Sequence, residues 1–338
     1  MYIWQKSQWQ HIMQQGAQSP NAKLPHALLL RGRAGTGKHE FALELARGLL
    51  CSQANAQHVA CGTCPSCLWF AEGHHPDFRL ISPEDAESAD DAPVATPKKK
   101  TSKKSQISVA QVRQLIDFLN LSSHQVNSKR VILISPADTL NLASANSLLK
   151  MLEEPPANTL FLLVTSQPQR LLATIISRCQ AVDMALPSKP DALTWLKSQQ
   201  VSNAENLLDY AGGAPLLALQ IAEEGDINSS LIKQLALGAK LDPFACAPLL
   251  TGLGMERALD ALQKWVFDLA NFALTQQLHY HAQHASALQA LCKSVNLSLL
   301  MQFQQKLLEA KKTANHPLSN ELQLENILLN YTHIFKKI

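Results

Sequence analysis

The feature that most constrains this chain is a glycine-rich turn between an apolar run and a helical segment. Ala27–Leu30 predicts a buried strand, residues 32–39 read GRAGTGKH, and Glu40–Leu50 has a helical pattern. Glycines let backbone N–H groups turn inward around an anion, and the helix N-terminus adds partial positive charge. An ordinary strand–turn–helix corner is the alternative, but this order of elements favours a phosphate-binding loop. Its predicted phosphate contacts are Gly32, Gly35, Gly37 and Lys38.

The loop lacks the groups that normally hold Mg²⁺. His39 stands where a Ser or Thr hydroxyl would bind the ion, and imidazole is a poor ligand for this hard cation. The next candidate strand ends in Ser135-Pro136, where a hydrolysing protein carries carboxylates. Asp138 comes three residues late, and we interpret it as a turn or helix cap. Both departures affect metal-assisted attack by water, so the sequence predicts a retained fold without hydrolysis.

Four cysteines lie within seventeen residues, and they predict a structural zinc site. Their spacing is C-x9-C-x2-C-x2-C, with Gly62 and Pro65 between them. Four thiolates can complete a tetrahedral Zn²⁺ site that leaves no position open for catalysis. An iron–sulfur cluster would use the same ligands, and His74 and His75 are spare ligands that we assign to the surface or a loop. The four predicted ligands are Cys51, Cys61, Cys64 and Cys67.

Composition and pattern indicate a globular α/β domain followed by helices. The 338 residues are 46% hydrophobic and 17% charged, and the net charge of +3 is too small to indicate a nucleic-acid or membrane partner. Apolar strands at 130–134 and 159–165 alternate with helical segments at 109–119 and 143–154, which predicts a parallel sheet covered on both faces. Strands disappear after Pro187. The N-terminus lacks the apolar core of a signal peptide and no apolar run could span a membrane, so we expect a cytoplasmic protein.

Residues 82–106 differ from their surroundings. They begin with acidic residues, contain two prolines and end in five lysines between 98 and 104, with few large apolar residues. This composition predicts a disordered insertion. A phosphate-backbone contact by its basic end is the less favoured interpretation.

Taken together, these motifs resemble the bacterial clamp-loader subunits of the AAA+ class. The resemblance covers nearly the whole chain apart from the insertion. It is carried by the degenerate phosphate loop, the four cysteines, the run SANSLLKMLEEPP at 144–156, the run TIISRC at 174–179 and the run NELQLE at 320–325.

The resemblance implies three domains and a set of partners. The domains are an AAA+ α/β domain at 1–186, with the zinc cysteines at 51–67, a helical lid at 187–227 and a helical collar at 228–338. The partners would be the gamma/tau ATPase subunits and the delta subunit of a hetero-pentameric ring, with the sliding clamp and primer–template DNA engaged by the assembled complex. ATP and Mg²⁺ would bind only at neighbouring subunits.

The resemblance also gives Arg178 a role, because the Ser-Arg-Cys arginine of this family reaches into the ATP site of the adjacent subunit. A guanidinium suits that task since it stays charged and offers several fixed donors. Active family members carry a Ser or Thr, an Asp-Glu pair and a lid arginine, where this chain has His39, Ser135-Pro136 and Ala214-Pro215-Leu216. These departures favour a non-hydrolysing subunit. The alternatives are an active motor subunit, a zinc-stabilised DNA-binding module using residues 98–104, and a small-molecule kinase.

Overall fold

The first half of the chain contains a five-stranded parallel sheet with strand order β2-β3-β4-β1-β5. The computed structural model describes residues 1–17, 24–55, 57–83, 106–120, 129–223, 227–312 and 320–335. The strands are β1 (Ala27–Arg31), β2 (Phe78–Ile81), β3 (Arg130–Ile134), β4 (Thr159–Thr165) and β5 (Gln180–Asp183). The predicted insertion at 82–106 falls almost entirely outside the described residues.

The two strands that the sequence predicts most clearly, β3 and β4, are confirmed at their predicted bounds. Every residue of both is buried, because helices cover each face of the sheet. On one face, Ile132 and Phe161 pack with residues of α4 (Val109–Asn120) and α5 (Leu142–Glu153). On the other face, Leu28 and Leu162 pack with Phe41 and Trp9. The predicted α/β fold class is confirmed.

The remaining helices lie partly between and around the strands along the chain and partly in its C-terminal half. Before the C-terminal half, the further helices are α1 (Lys6–Ala17), α2 (Lys38–Leu50), α3 (Pro65–Ala71) and α6 (Ala173–Ile176). The later ones are α7 (Lys189–Ser198), α8 (Ala204–Tyr210), α9 (Pro215–Glu223), α10 (Ile227–Leu235), α11 (Pro243–Leu253), α12 (Met255–Thr275), α13 (Ala285–Cys292), α14 (Leu297–Lys312) and α15 (Asn320–Thr332). No helix in the described part of the chain combines the length and apolar character needed to cross a membrane.

The chain divides into two compact units, Met1–Asp191 and Ala192–Ile338. Within the second unit the buried apolar side chains form two clusters, a small one from Ala192 to Ile221 and a larger one from Leu231 to Phe335. The predicted three-domain division at 186/187 and 227/228 stays a prediction.

Candidate functional site

The glycine-rich loop connects β1 to α2, as its position in the sequence predicts. Gly37 has φ +83°, a left-handed conformation that favours glycine, and it directly precedes the first residue of α2. A β-carbon at Gly37 would come within 2.6 Å of the Tyr2 ring, and one at Gly32 within 2.4 Å of the Met184 carbonyl oxygen. Glycine is therefore required at both positions by close approach of neighbouring groups, beside any contact with phosphate.

Lys38, the predicted phosphate lysine, is buried and turned toward its own loop. Its ammonium group donates to the carbonyl oxygen of Arg33, which also accepts from the Thr36 hydroxyl at 3.0 Å. Burial lowers the pKa of Lys38 to about 8, although the charges of Asp138 and Glu40 act in the opposite direction. The loop is thus closed by internal hydrogen bonds.

The N-terminal segment packs directly on this loop, a contact that the sequence analysis did not predict. The side-chain amide of Gln5 is fully buried and donates to the carbonyl oxygens of Thr36 (3.1 Å) and Gly37 (2.7 Å). The indole N–H of Trp4 also donates to the Thr36 carbonyl at 3.1 Å, and its ring stacks on Tyr2 with centroids 4.8 Å apart. The carbonyl oxygens of Thr36 and Gly37 therefore accept three hydrogen bonds from the N-terminal segment.

His39 and Ser135 are joined by a direct hydrogen bond. The His39 Nδ1 and Ser135 Oγ atoms lie 2.9 Å apart, which links the first turn of α2 to the end of β3. In a magnesium-binding loop of this kind, the residue at the position of His39 supplies a hydroxyl and the end of the neighbouring strand, here Ser135, supplies a carboxylate; the ion binds between them. Here the two side chains bond each other directly, and neither supplies the anionic oxygen that Mg²⁺ prefers.

Asp138 ties two loops together rather than capping its own turn. It lies in a short 3-10 helix, Ala137–Thr139, and its Oδ1 atom accepts from the Thr165 hydroxyl at 2.5 Å and from the Ser166 backbone N–H at 3.2 Å. Thr165 is the last residue of β4, so the carboxylate links the ends of two adjacent strands. This structural task accounts for an aspartate near Lys38.

The four predicted zinc ligands converge. Their sulfur atoms all lie within 4.8 Å of one another, and Cys51 Sγ is 3.6 Å from Cys61 Sγ and 3.8 Å from Cys64 Sγ. Cys61 Sγ and Cys67 Sγ are 4.0 Å apart. Four sulfurs at about 2.3 Å from a tetrahedral Zn²⁺ would be about 3.8 Å apart. The spacing therefore fits a single tetrahedral metal ion.

Backbone N–H groups donate to two of the four sulfur atoms. The N–H of Cys61 donates to Cys51 Sγ, and the N–H of Cys64 donates to Cys61 Sγ, both at 3.3 Å. Hydrogen bonds from the backbone of Thr63 and Cys64 lower the pKa of Cys61, whereas burial raises the pKa of Cys67. Four thiolates repel each other in so small a volume, so a cation is needed to hold all of them ionised.

His74 and His75 both lie in the loop between α3 and β2, as expected; His74 is exposed, whereas His75 is buried. His75 is buried, and its Nε2 atom lies 2.8 Å from the Ser66 hydroxyl, which itself donates to the Leu50 carbonyl at 2.6 Å. Its Nδ1 atom accepts from the Asp77 backbone N–H at 3.0 Å. This network places the ring proton on Nε2, and burial lowers the pKa of His75. The neutral ring joins α2 to α3 beside the cysteines and is not a fifth ligand.

Arg178 lies in the turn between α6 and β5, and its side chain is about one-third exposed. Its Nη2 atom is 2.6 Å from Glu153 Oε1, and its Nη1 atom donates to the Thr174 carbonyl at 2.9 Å. Neither of these partners belongs to the phosphate-type loop. Glu153 was not singled out from the sequence, although it belongs to the LEEPP run.

The sequence is similar to those of DNA polymerase III subunits. A family model described as "DNA polymerase III, delta subunit" matches residues 4–188. The DNA polymerase III subunit delta' of Pseudomonas aeruginosa is 38% identical over 67% of this chain, and that of Yersinia pestis is 34% identical over 82%. The Escherichia coli subunit delta' is 35% identical over 58% of this chain.

These alignments span 62%, 77% and 54% of the lengths of the three relatives, respectively. The Salmonella typhimurium subunit tau is 35% identical over 46% of this chain, but only 21% of tau is covered. A solved gamma-subunit-related protein from Thermotoga maritima aligns over 97% of this chain and 98% of its own, with a TM-score of 0.44 and 16% identity. Similarity at that level carries no conclusion about function.

A parallel sheet in the order β2-β3-β4-β1-β5, with a phosphate-type loop following β1, defines a P-loop domain of the AAA+ class. The sequence matches narrow that class to DNA polymerase III subunits. The chain belongs to the family of DNA polymerase III delta' subunits.

Proposed function

We propose that this chain is a non-hydrolysing subunit of a clamp loader. The observation that carries the proposal is the direct hydrogen bond between His39 and Ser135, at the two positions where magnesium ligands are required. The geometry of Lys38 also supports this proposal, because a buried lysine that is bonded to its own loop is not extended toward a triphosphate. The nucleotide-binding residues Gly32, Gly35, Gly37 and Lys38 then serve the fold, with binding residual or lost.

The proposed setting is the hetero-pentameric ring of the DNA polymerase III clamp loader, in the cytoplasm. The chain would stand beside the gamma/tau ATPase subunits and the delta subunit, and it would help to place the sliding clamp on primed DNA. Relatives named as delta' and tau subunits support this setting. Residues 187–227 would form the lid, and residues 228–338 the collar that joins the subunits.

In this ring, Arg178 would act as an arginine finger in trans. It is partly exposed and lies in the turn between α6 and β5, and a guanidinium offers several fixed donors to a phosphate. Fingers of this kind are worth roughly 10³–10⁵ in turnover in other P-loop systems. ATP and Mg²⁺ would bind at the neighbouring subunit, and this chain would supply only the guanidinium.

The cysteine cluster would hold one structural Zn²⁺. The near-tetrahedral sulfur spacing and the N–H···S bonds support this proposal. A bound ion would cross-link α3 to the end of α2 and stabilise the fold without taking part in chemistry. Elemental analysis of the purified chain is expected to give one zinc per chain, and a content near zero in protein that remains folded would contradict the proposal.

The test of the main proposal uses the isolated chain and the reconstituted complex. The chain alone is expected to show no ATP turnover above buffer, whereas a complex carrying Arg178→Ala is expected to lose most of its DNA-stimulated turnover. Arg170→Ala, another arginine of the same unit, is the matched control and should leave turnover unchanged. Brisk hydrolysis by the isolated chain would favour the motor-subunit alternative, and full turnover with Arg178→Ala would reject the finger.

A further inference from the structure

The side chain of Arg178 is held at both of its terminal nitrogens by this same subunit. Nη1 donates to the Thr174 carbonyl at 2.9 Å, one turn earlier in the chain, and Nη2 lies 2.6 Å from the carboxylate of Glu153. The Ser177 hydroxyl is 3.5 Å from Nη1. A guanidinium carries five N–H donors, so this arrangement leaves donors for another acceptor.

The partner carboxylate comes from a rigid part of the domain. Glu153 is the last residue of α5, whose first turn is capped by Asn141, with the Asn141 side chain accepting from the Ser144 N–H at 2.8 Å. Leu148 and Leu152 of the same helix are buried in the core against the sheet. The backbone of Glu153 is therefore held by a packed helix, whereas Arg178 lies on a turn.

The turn that carries Arg178 is anchored on its other side. Ile175 of α6 is fully buried, and the backbone N–H of Arg178 donates to the Ile175 carbonyl at 3.1 Å. The position of the Arg178 backbone is therefore fixed, and only its long side chain can change conformation. An unrestrained arginine side chain carries about 2 kcal/mol of rotamer entropy, part of which is lost when it docks on an acceptor. A contact made before docking reduces that loss.

We propose that Glu153 is a positioning residue for Arg178: its carboxylate fixes the guanidinium so that the remaining donors face out of the subunit toward a phosphate of the adjacent one. This inference rests on the proposed trans role of Arg178. Glu153 does not touch nucleotide and acts only through the arginine. The pair is partly exposed, with the Glu153 side chain 50% and the Arg178 side chain 33% accessible, so its effect is moderate.

The experiment measures ATP turnover by the complex reconstituted with its partner subunits, primed DNA and clamp. Glu153→Ala is expected to lower kcat about five-fold with the KM for ATP unchanged, which corresponds to about 1 kcal/mol at 1.36 kcal/mol per factor of ten. Glu153→Gln keeps an oxygen that accepts from the guanidinium, and it is expected to lower kcat only about two-fold. Glu154→Ala removes the adjacent exposed carboxylate and should have no effect.

The decisive measurement is the double variant. If Glu153 acts through the arginine, adding Glu153→Ala to Arg178→Ala changes turnover no further. Three results would each overturn the positioning role alone. The first is an equal loss of turnover from Glu153→Ala with and without Arg178→Ala, and the second is a rise in turnover. The third is unchanged turnover with Glu153→Ala in a complex that Arg178→Ala slows. Full turnover with Arg178→Ala would reject the finger and with it this inference. Melting of each isolated variant separates folding defects from these outcomes, and Glu153→Gln provides the test if Glu153→Ala does not fold.

Discussion

The hydroxyl of Tyr331 connects three helices of the C-terminal unit, and its removal gives the most quantitative test of this structure. The side chain of Tyr331, in α15, is fully buried. Its hydroxyl oxygen accepts from the indole N–H of Trp265 in α12 at 2.8 Å, and its O–H group donates to the carbonyl oxygen of Leu235 in α10 at 2.7 Å. Burial raises the pKa of Tyr331, so the phenol stays neutral at any working pH.

Tyr331→Phe keeps the ring and deletes only the hydroxyl. It leaves two buried groups, the Trp265 N–H and the Leu235 carbonyl, without their partner. Each unsatisfied group costs about 1–3 kcal/mol, and the desolvation of the hydroxyl itself, which the variant avoids, offsets part of this. We expect the free energy of unfolding of this unit to fall by about 2–4 kcal/mol.

The assay is urea unfolding of the full chain, followed through the near-ultraviolet dichroism of the buried aromatic rings. With an m-value of about 2 kcal/mol per molar, the midpoint of the C-terminal transition should fall by about 1–2 M. Tyr280→Phe is the matched control, because Tyr280 is half-buried in the same unit and the change is expected to cost less than about 0.5 kcal/mol. Equal midpoints for the two variants would show that the hydroxyl does not hold these helices.

Three further predictions concern single side chains. Gly48→Ala gains about 1 kcal/mol of helix propensity, but its β-carbon would lie 2.2 Å from the His58 carbonyl oxygen. We therefore expect a net destabilisation by about 1–2 kcal/mol in thermal melts, and a rise in melting temperature would contradict it. Ser66→Ala leaves the His75 Nε2–H without its acceptor and the Leu50 carbonyl without its donor, and it should lower the free energy of unfolding by about 1–3 kcal/mol; an unchanged melting temperature would contradict this. Burial alone would raise the pKa of Asp268, but hydrogen bonds from the side chain of His281 and from backbone N–H groups outweigh it and hold that pKa low. The ionised carboxylate therefore stabilises the fold above about pH 4, and this stabilisation is lost as the pH falls through the folded-state pKa. Asp268→Asn should therefore lower the free energy of unfolding most at pH 7 and least below pH 4. A difference in stability that does not depend on pH would refute this.

The amino-acid sequence determined the elements whose signal is local. β3 and β4 are runs of apolar residues, and burial on both faces makes such runs continuous. The phosphate-type loop and the cysteine cluster are also local, because their glycines and sulfurs lie close together along the chain. The edge strands β2 and β5 were not predicted, since each is four residues long and mixes buried with exposed positions.

Tertiary structure decided the contacts between residues that are distant in sequence. The Gln5 amide reaches a loop 31 residues away, His39 meets Ser135 across 96 residues, and no local pattern connects either pair. The same holds for Glu153, at the end of α5, and Arg178, in the turn after α6. Periodicity and spacing report which residues share a face or a turn, whereas these pairings depend on the order in which parallel strands are placed in the sheet.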